Sequence, residues 1–257
     1  MKKDLILRRA EMVSSKIGVP GFDEILGSEL SPGSCILLQG GPGSGKTTFC
    51  MRFLHEGATR YDEPGLYVTL CENPDEIRRN MLQYKMDFGR LEKENKFSFL
   101  DVRPVRLTPE GYIVPNEALF KGETIPFSHI SCLIRDRVQQ MGAKRLVLDS
   151  LTVLTGQYEN QAYVRQGVLG LIQSLSSLEC TSILISEGNE ASPDRQHLES
   201  WAVVPAIVLL YYTRRNSVMA RAIQILKFRG AKHSSEVHHM EIGSEGIIVH
   251  PDVRADL

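Results

Sequence analysis

Residues 39–48 read Gln39-Gly40-Gly41-Pro42-Gly43-Ser44-Gly45-Lys46-Thr47-Thr48, and from Gly40 to Thr47 they satisfy the pattern G-x-x-x-x-G-K-[ST]. Each residue type has a chemical reason. Glycines let the backbone wrap tightly enough for its N–H groups to converge on phosphate oxygens. Lys46 brings a cation to β- and γ-phosphates, and the Thr47 hydroxyl is an oxygen donor for Mg²⁺. A helix starting near Lys46 adds the positive end of its dipole. An ordinary Gly-rich turn has no need of a fixed context. Here an apolar strand, Cys35–Gln39, leads into the loop, and Phe49, Phe53 and Leu54 continue an apolar helical stripe after it. Gly41, Pro42, Gly43, Ser44, Gly45, Lys46, Thr47 and Thr48 are therefore the candidate phosphate-binding set.

Such a site needs a carboxylate at the end of a second apolar strand. Arg145-Leu146-Val147-Leu148-Asp149-Ser150 supplies one, which makes Asp149 the candidate that orients the Mg²⁺ shell. Many strands end in Asp before a turn, so Asp149 takes this meaning only from its pairing with the P-loop.

Further strand-like runs occur at Leu66–Cys71, Phe97–Asp101, Thr181–Ser186 and Ile207–Tyr212. Several are nearly continuous apolar stretches, as parallel strands covered on both faces require. Amphipathic helices lie between them. One carries the stripe Ile130, Leu133, Ile134, Val138, Met141, and another Val164, Val168, Leu171, Ile172, Leu175. The alternation predicts a three-layer α/β domain with a mostly parallel sheet flanked by helices. Toward the C-terminus the alternation stops. Ala222–Phe228, Val237–Ile242 and Gly246–His250 follow one another without helices and read as antiparallel strands extending one sheet edge. Residues 102–128, rich in proline and without periodicity, read as a long functional or mobile loop. No repeat or low-complexity tract interrupts the pattern, so one domain over residues 17–257 is expected, preceded by a short extension, residues 1–16.

The bulk properties narrow the function classes. Of 257 residues, 42% are hydrophobic and 24% charged, enough for a proper core, and the formal net charge of −1 gives no general pull toward nucleic acid or membrane. The five cysteines (Cys35, Cys50, Cys71, Cys132, Cys180) are scattered without C-x-x-C spacing, which suits a reducing cytosol and excludes a disulfide framework or zinc quartet. Leu5–Leu7 is too short for a signal-peptide core. No apolar run approaches the ~20 residues that cross a bilayer. A cytoplasmic location is expected. His238 and His239 alternate across a strand and so do not share a metal, and Trp201 reads as packing.

Several segments together resemble the KaiC family of RecA-like ATPases. Ile17-Gly18-Val19-Pro20-Gly21-Phe22-Asp23-Glu24-Ile25-Leu26-Gly27 is similar to the family's segment before the P-loop, and Tyr67 to Ile77 to its second strand and the start of the next helix. Leu148-Asp149-Ser150-Leu151-Thr152 resembles its Walker B segment, and Ile225-Leu226-Lys227-Phe228-Arg229-Gly230 followed by His233 its late strand. The resemblance implies a RecA-like fold that binds ATP (and ADP) with Mg²⁺ between adjacent subunits of a homo-oligomeric ring, usually a hexamer, in a signalling or regulatory role. It further implies that Lys227 and Arg229, with Phe228 between them, reach the γ-phosphate of a neighbour's ATP, that His233 is another nucleotide contact, and that Gly243 and Ser244 lie by base and sugar. Without it, Lys227 and Arg229 read as solvated charges on an edge strand. Arg214, Arg215 and Arg221 keep that plain reading.

Two departures from the family limit the transfer. Where it usually has a Glu-Glu pair, the first of which activates the attacking water, this chain has Cys71 and Glu72. A thiol is no equivalent base. Glu72 then either takes over, joining Lys46 and Asp149 as the catalytic set for a slow hydrolysis, or merely caps the helix after Pro74. KaiC also carries two such domains in tandem, whereas one is read here, so clock function and autokinase activity do not transfer. Two rivals stand beside the slow ATPase: a RadA-like recombination protein, disfavoured by the near-neutral charge and the lack of an added DNA-binding module, and a scaffold that binds nucleotide without consuming it.

Overall fold

Strand β1 (Cys35–Gly40) is buried along its whole length and divides two hydrophobic cores. Ile36 and Leu38 face one of them, Cys35 and Leu37 the other, as the two-residue period of a strand requires. The structure is a computed structural model that describes residues 16–107, 113–115, 124–188, 203–215 and 217–255. Around β1 stand β2 (Gly65–Thr69), β3 (Phe97–Asp101), the short pair β4 (Val105–Leu107) and β5 (Ile113–Pro115), β6 (Arg145–Asp149), β7 (Thr181–Glu187), β8 (Ala206–Arg215), β9 (Val218–Phe228), β10 (Val237–Gly243) and β11 (Gly246–Arg254). Among the described residues the main sheet has nine strands in the order β11-β10-β9-β8-β1-β7-β6-β2-β3. From β8 to β3 neighbouring strands are parallel; β9, β10 and β11 add on in antiparallel fashion at one edge.

Among the described residues the helices are α1 (Phe22–Leu26), α2 (Lys46–Arg60), α3 (Pro74–Leu82), α4 (Phe88–Lys93), α5 (Phe127–Met141), α6 (Leu151–Thr155) and α7 (Gln161–Ser176). Helix α2 buries Phe49, Phe53 and Leu54 against the Ile36/Leu38 face, while α5 and α7 cover the opposite face with Ile130, Ile134, Val138, Val168, Leu171 and Leu175. The sandwich is the expected mostly parallel α/β architecture with C-terminal antiparallel strands. Leu133 and Met141 of the anticipated stripe are only partly buried, at its margins.

Several boundaries differ from those read in the sequence. The strand expected over Leu66–Cys71 stops at Thr69, because the Thr69 hydroxyl accepts hydrogen bonds from Cys71 N (3.3 Å) and Glu72 N (3.0 Å) and donates to Glu72 O (2.8 Å), folding the chain into a turn. Residues 102–128 contain the β4–β5 pair and the start of α5; within them 108–112 and 116–123 lie outside the described residues, as do Trp201 and residues 1–15. The C-terminal strands run further than their apolar patterns, because β9 extends to Val218 and β11 to Arg254 through exposed positions. In β11 the pairing slips: His239 faces His250 but His238 faces Arg254, so Pro251, Asp252 and Val253 bulge from the edge. His238 is buried with Nε2 2.7 Å from Ser234 Oγ, and His239 packs on His250.

The segment before the P-loop is pinned at both ends. Asp23 accepts hydrogen bonds from Ile17 N and Gly18 N, both at 2.8 Å. Gly21 has φ 77°, and a β-carbon there would stand 1.9 Å from Val249 O, so only glycine lets this segment lie against β11. Arg145, at the start of β6, is the largest fully buried side chain among the described residues. Its guanidinium donates to Glu63 Oε2 (2.6 Å), Ile17 O (2.8 Å), Phe53 O (2.7 Å) and Lys16 O (2.7 Å), and lies over the Phe53 and Tyr61 rings. One cation thereby ties β6, α2 and the segment before the P-loop together.

Candidate nucleotide site

At the end of β1 the chain turns through Gly41–Gly45 and enters α2 at Lys46. Gly43 and Gly45 both adopt positive φ, 76° and 101°, a conformation that L side chains resist. Ser44 is buried and donates to Gly41 O (2.8 Å), while Lys46 Nζ lies 2.9 Å from both Gly40 O and Gly41 O. The loop is thus a closed cradle with its lysine folded over it. Above it opens a cavity of about 430 Å³, lined by Pro42, Gly43, Gly45, Lys46, Thr47, Thr48, Cys71, Glu72, Tyr84, Asp149, Ile185, Glu187, Arg221 and Ile242.

Asp149 ends β6 directly opposite Thr69 of β2 and is 6% exposed. Its Oδ2 accepts a hydrogen bond of 2.5 Å from the fully buried Tyr67 hydroxyl. Burial raises the Asp149 carboxyl above the usual carboxylate range, against the pull of Tyr67 and Lys46. Burial and the Asp149 charge hold the Tyr67 phenol well above its ordinary value, so it stays the donor.

The Thr69 turn carries both Cys71 and Glu72 to the cavity wall. Burial raises the Glu72 carboxyl, helped by the negative charges of Asp149 and Glu76 and opposed by Lys46. Burial likewise raises the Cys71 thiol, whose Sγ lies 3.6 Å from Ser150 Oγ. The expected alternative for Glu72, a cap on the following helix, is corrected: Asn73 caps α3, its Oδ1 accepting from Asp75 N at 3.0 Å.

Of the other expected contacts, Gly243 and Ser244 form the β10–β11 turn next to Ile242, at the cavity end of the sheet. That turn is tied down by Arg52 Nη1 to Glu245 O (2.8 Å) and by a Lys85–Glu245 ion pair. Lys227, Phe228, Arg229 and His233 are elsewhere. In the β8–β9 ladder Lys227 pairs with Ile207 and Arg221 with Tyr212, while β1 reaches its P-loop end opposite Leu210. Lys227 therefore stands five residues along β8 from the level of Arg221, roughly 17 Å away. There Lys227 Nζ bonds Val204 O (2.9 Å), Phe228 packs on the core margin, and His233 Nδ1 lies 2.9 Å from Ser234 O.

Tyr84, Glu187 and Ile242 line the cavity wall without any signal in the sequence, and Arg221 corrects its plain reading as a solvated charge. It donates from Nε to Gly43 O (3.0 Å) with its guanidinium 4.2 Å from the Tyr212 ring centre. The hairpin register would have found it, since counting back along β9 from Lys227 reaches the P-loop at Arg221. Glu187 ends β7 one residue past the predicted strand.

Thr47 and Asp149, a hydroxyl and a carboxylate on one cavity, are hard oxygen donors suited to Mg²⁺, which binds through one or two protein groups plus phosphate and water. Among the described residues no group of three or more His, Cys, Asp or Glu forms an all-protein metal cage.

A family model described as "ATPase: KaiC" matches residues 15–254. The chain belongs to the KaiC ATPase family. It is 34% identical over 243 residues to a UPF0273 protein of Methanocaldococcus jannaschii, covering 92% of this chain and 96% of that one. It is 30% identical over 235 residues to the circadian clock oscillator protein KaiC of Prochlorococcus marinus, where the match covers 91% of this chain but 45% of the relative. The crystal structure of a KaiC-like protein from Pyrococcus horikoshii superposes with TM-score 0.76 at 31% identity, covering 93% of this chain and all of that one. As a KaiC-family chain this is a RecA-like, ATP-binding P-loop protein, and no helix among its described residues is long and apolar enough to cross a membrane.

Proposed function

We propose that this chain hydrolyses ATP slowly, with Mg²⁺, at the subunit interfaces of a homo-oligomeric ring, a hexamer by the family's habit, and serves a signalling or regulatory role. The observation that carries the reading is the reach of β9. It brings Arg221 to its own P-loop and takes Lys227 and Arg229 to the opposite end of the sheet, too far from the chain's own phosphates but suited to a neighbour's. Cations supplied across an interface stabilise charge on the transferring phosphoryl group and make hydrolysis depend on assembly.

In this reading the loop N–H groups and Lys46 hold the β- and γ-phosphates. Thr47 and Asp149 hold Mg²⁺, which when bound draws negative charge from the phosphate oxygens. Glu72, with its carboxyl shifted upward, orients a water and accepts its proton as the water oxygen bonds to the γ-phosphorus. The bond to the β–γ bridging oxygen breaks, and ADP and phosphate leave. Cys71 stands where a second carboxylate would help, which keeps turnover low.

The trans arrangement is tested by mixing subunits. Lys46→Ala and Arg229→Ala rings are each expected to be inactive, while mixed rings regain turnover at interfaces that pair an intact Lys46 with an intact Arg229. If mixed rings form and stay silent, the trans role is wrong.

A second prediction separates this reading from a nucleotide-dependent scaffold, which the thiol at Cys71 favours. Cys71→Glu should raise phosphate release with little change in ATP affinity. The gain should fall near tenfold, below the ~10²–10⁴-fold usual for general acid–base catalysis, because the surrounding turn is shaped for a thiol. Glu72→Gln should nearly silence the wild-type background and spare much of the Cys71→Glu activity. A Glu72→Gln variant that turns over like wild type, with no rise in Cys71→Glu, would remove both residues from the attacking water.

A further inference from the structure

We infer that Tyr67 is a positioning residue for Asp149, fixing which carboxylate oxygen is presented to the metal–nucleotide complex; the inference rests on the reading of Asp149 as a Mg²⁺-shell residue. The Tyr67 ring lies in the core, edge-on to Phe99 at 5.6 Å, where phenylalanine would pack equally well. Its hydroxyl is completely buried, and burying a hydroxyl without a partner costs free energy that packing does not return. The partner is Asp149 Oδ2, at 2.5 Å.

The direction of that bond matters as much as its existence. Tyr67 lies on β2 opposite Val147 of β6, two residues before Asp149, and its side chain reaches along the strand to the carboxylate from beneath the cavity floor. One oxygen of Asp149 is thereby taken up from the core side. Among the described residues no hydrogen bond reaches the other, Oδ1, on a side chain that lines the phosphate cavity. A carboxylate free to rotate presents either oxygen and must be ordered when the metal binds. One clamped through Oδ2 arrives ordered, with a single oxygen for the metal shell. Hydrogen bonds of this kind to a metal-shell carboxylate typically contribute 10–100-fold to metal affinity. Val68 and Leu66, the neighbours of Tyr67 on β2, are buried with apolar groups on the other face and have no access to Asp149.

The test uses the intact chain and a fluorescent N-methylanthraniloyl derivative of ATP, titrated with MgCl₂ or in EDTA. Tyr67→Phe is expected to bind the nucleotide in EDTA as wild type does, and to need roughly 10- to 100-fold more Mg²⁺ for the same gain in affinity. Phe99→Leu, which disturbs the ring's packing and leaves the hydroxyl, should keep the wild-type Mg²⁺ requirement. Asp149→Asn should lose most of the Mg²⁺ effect. An unchanged Mg²⁺ requirement in Tyr67→Phe beside a lost one in Asp149→Asn would overturn the inference and leave the Asp149 reading standing. Equal weakening in Phe99→Leu and Tyr67→Phe would also overturn it, since packing would then be the cause. An Asp149→Asn variant with a normal Mg²⁺ response would overturn the Asp149 reading, and the inference with it.

Discussion

Lys46→Ala is expected to lower ATP affinity by about 3–4 kcal/mol, roughly 10²–10³-fold, the range found when one partner of a desolvated charge pair is truncated. Lys46 sits at the first position of α2, folded over the loop, and is the one P-loop side chain carrying a cation. Without it the phosphate charge is met by backbone N–H groups and the helix dipole, which order the phosphates but do not neutralise them. The same ammonium also holds Gly40 O and Gly41 O, so the substitution should cost about 1 kcal/mol of stability, the size of an ordinary hydrogen bond. Calorimetric titration and a denaturation curve on the same sample separate the two effects. Unchanged affinity with a lowered melting point would make Lys46 a loop brace and not a phosphate ligand.

Arg145→Ala is expected to destabilise the fold by about 3–5 kcal/mol, the usual cost of removing one partner from a buried ionic group. The arginine is 0% exposed, and its loss strands the Glu63 carboxylate and the carbonyls of Lys16, Ile17 and Phe53. It also empties a volume bordered by Gly57, where a β-carbon would stand 2.3 Å from Arg145 Cδ. Urea denaturation reads the difference. A loss under about 1 kcal/mol would mean that water enters and satisfies those carbonyls, and that the segment before the P-loop is held by Asp23 and Gly21 alone.

What is legible in the sequence follows from how local the determining chemistry is. The P-loop announces itself because its constraints, glycines for positive φ and a lysine and threonine at fixed offsets, all fall within one short stretch. Strands β3 and β6 can be read with correct ends, since an acidic residue closes each apolar run. The end of β2 misleads because Thr69, a good strand residue by its branching, commits its hydroxyl to the turn behind it. Arg221 escapes notice for a different reason. Its neighbour Gly43 lies far away in sequence, and only the β8–β9 register brings the two together. Arg145 cannot be recognised as buried, because its partners come from three separate segments and a cation at the start of a strand ordinarily faces water. The same holds for the role of Tyr67, which in sequence is indistinguishable from any aromatic strand residue.

The bulge in β11 has a consequence for how copies of this chain can meet. An open sheet edge is a row of unpaired amide donors and carbonyl acceptors, and an unbroken row can template a strand from another molecule. Here Val249 N is already bonded to Pro20 O (2.9 Å), Pro251 contributes no donor, the slip between His250 and Arg254 breaks the run beyond it, and Arg254 is held back by Glu236. A foreign strand laid along this border would find its hydrogen bonds interrupted midway. Assembly through β11 by backbone pairing is therefore blocked, and protomers that associate on this side must do so through side chains. Copies that met along this border could then shift against one another without tearing a shared sheet.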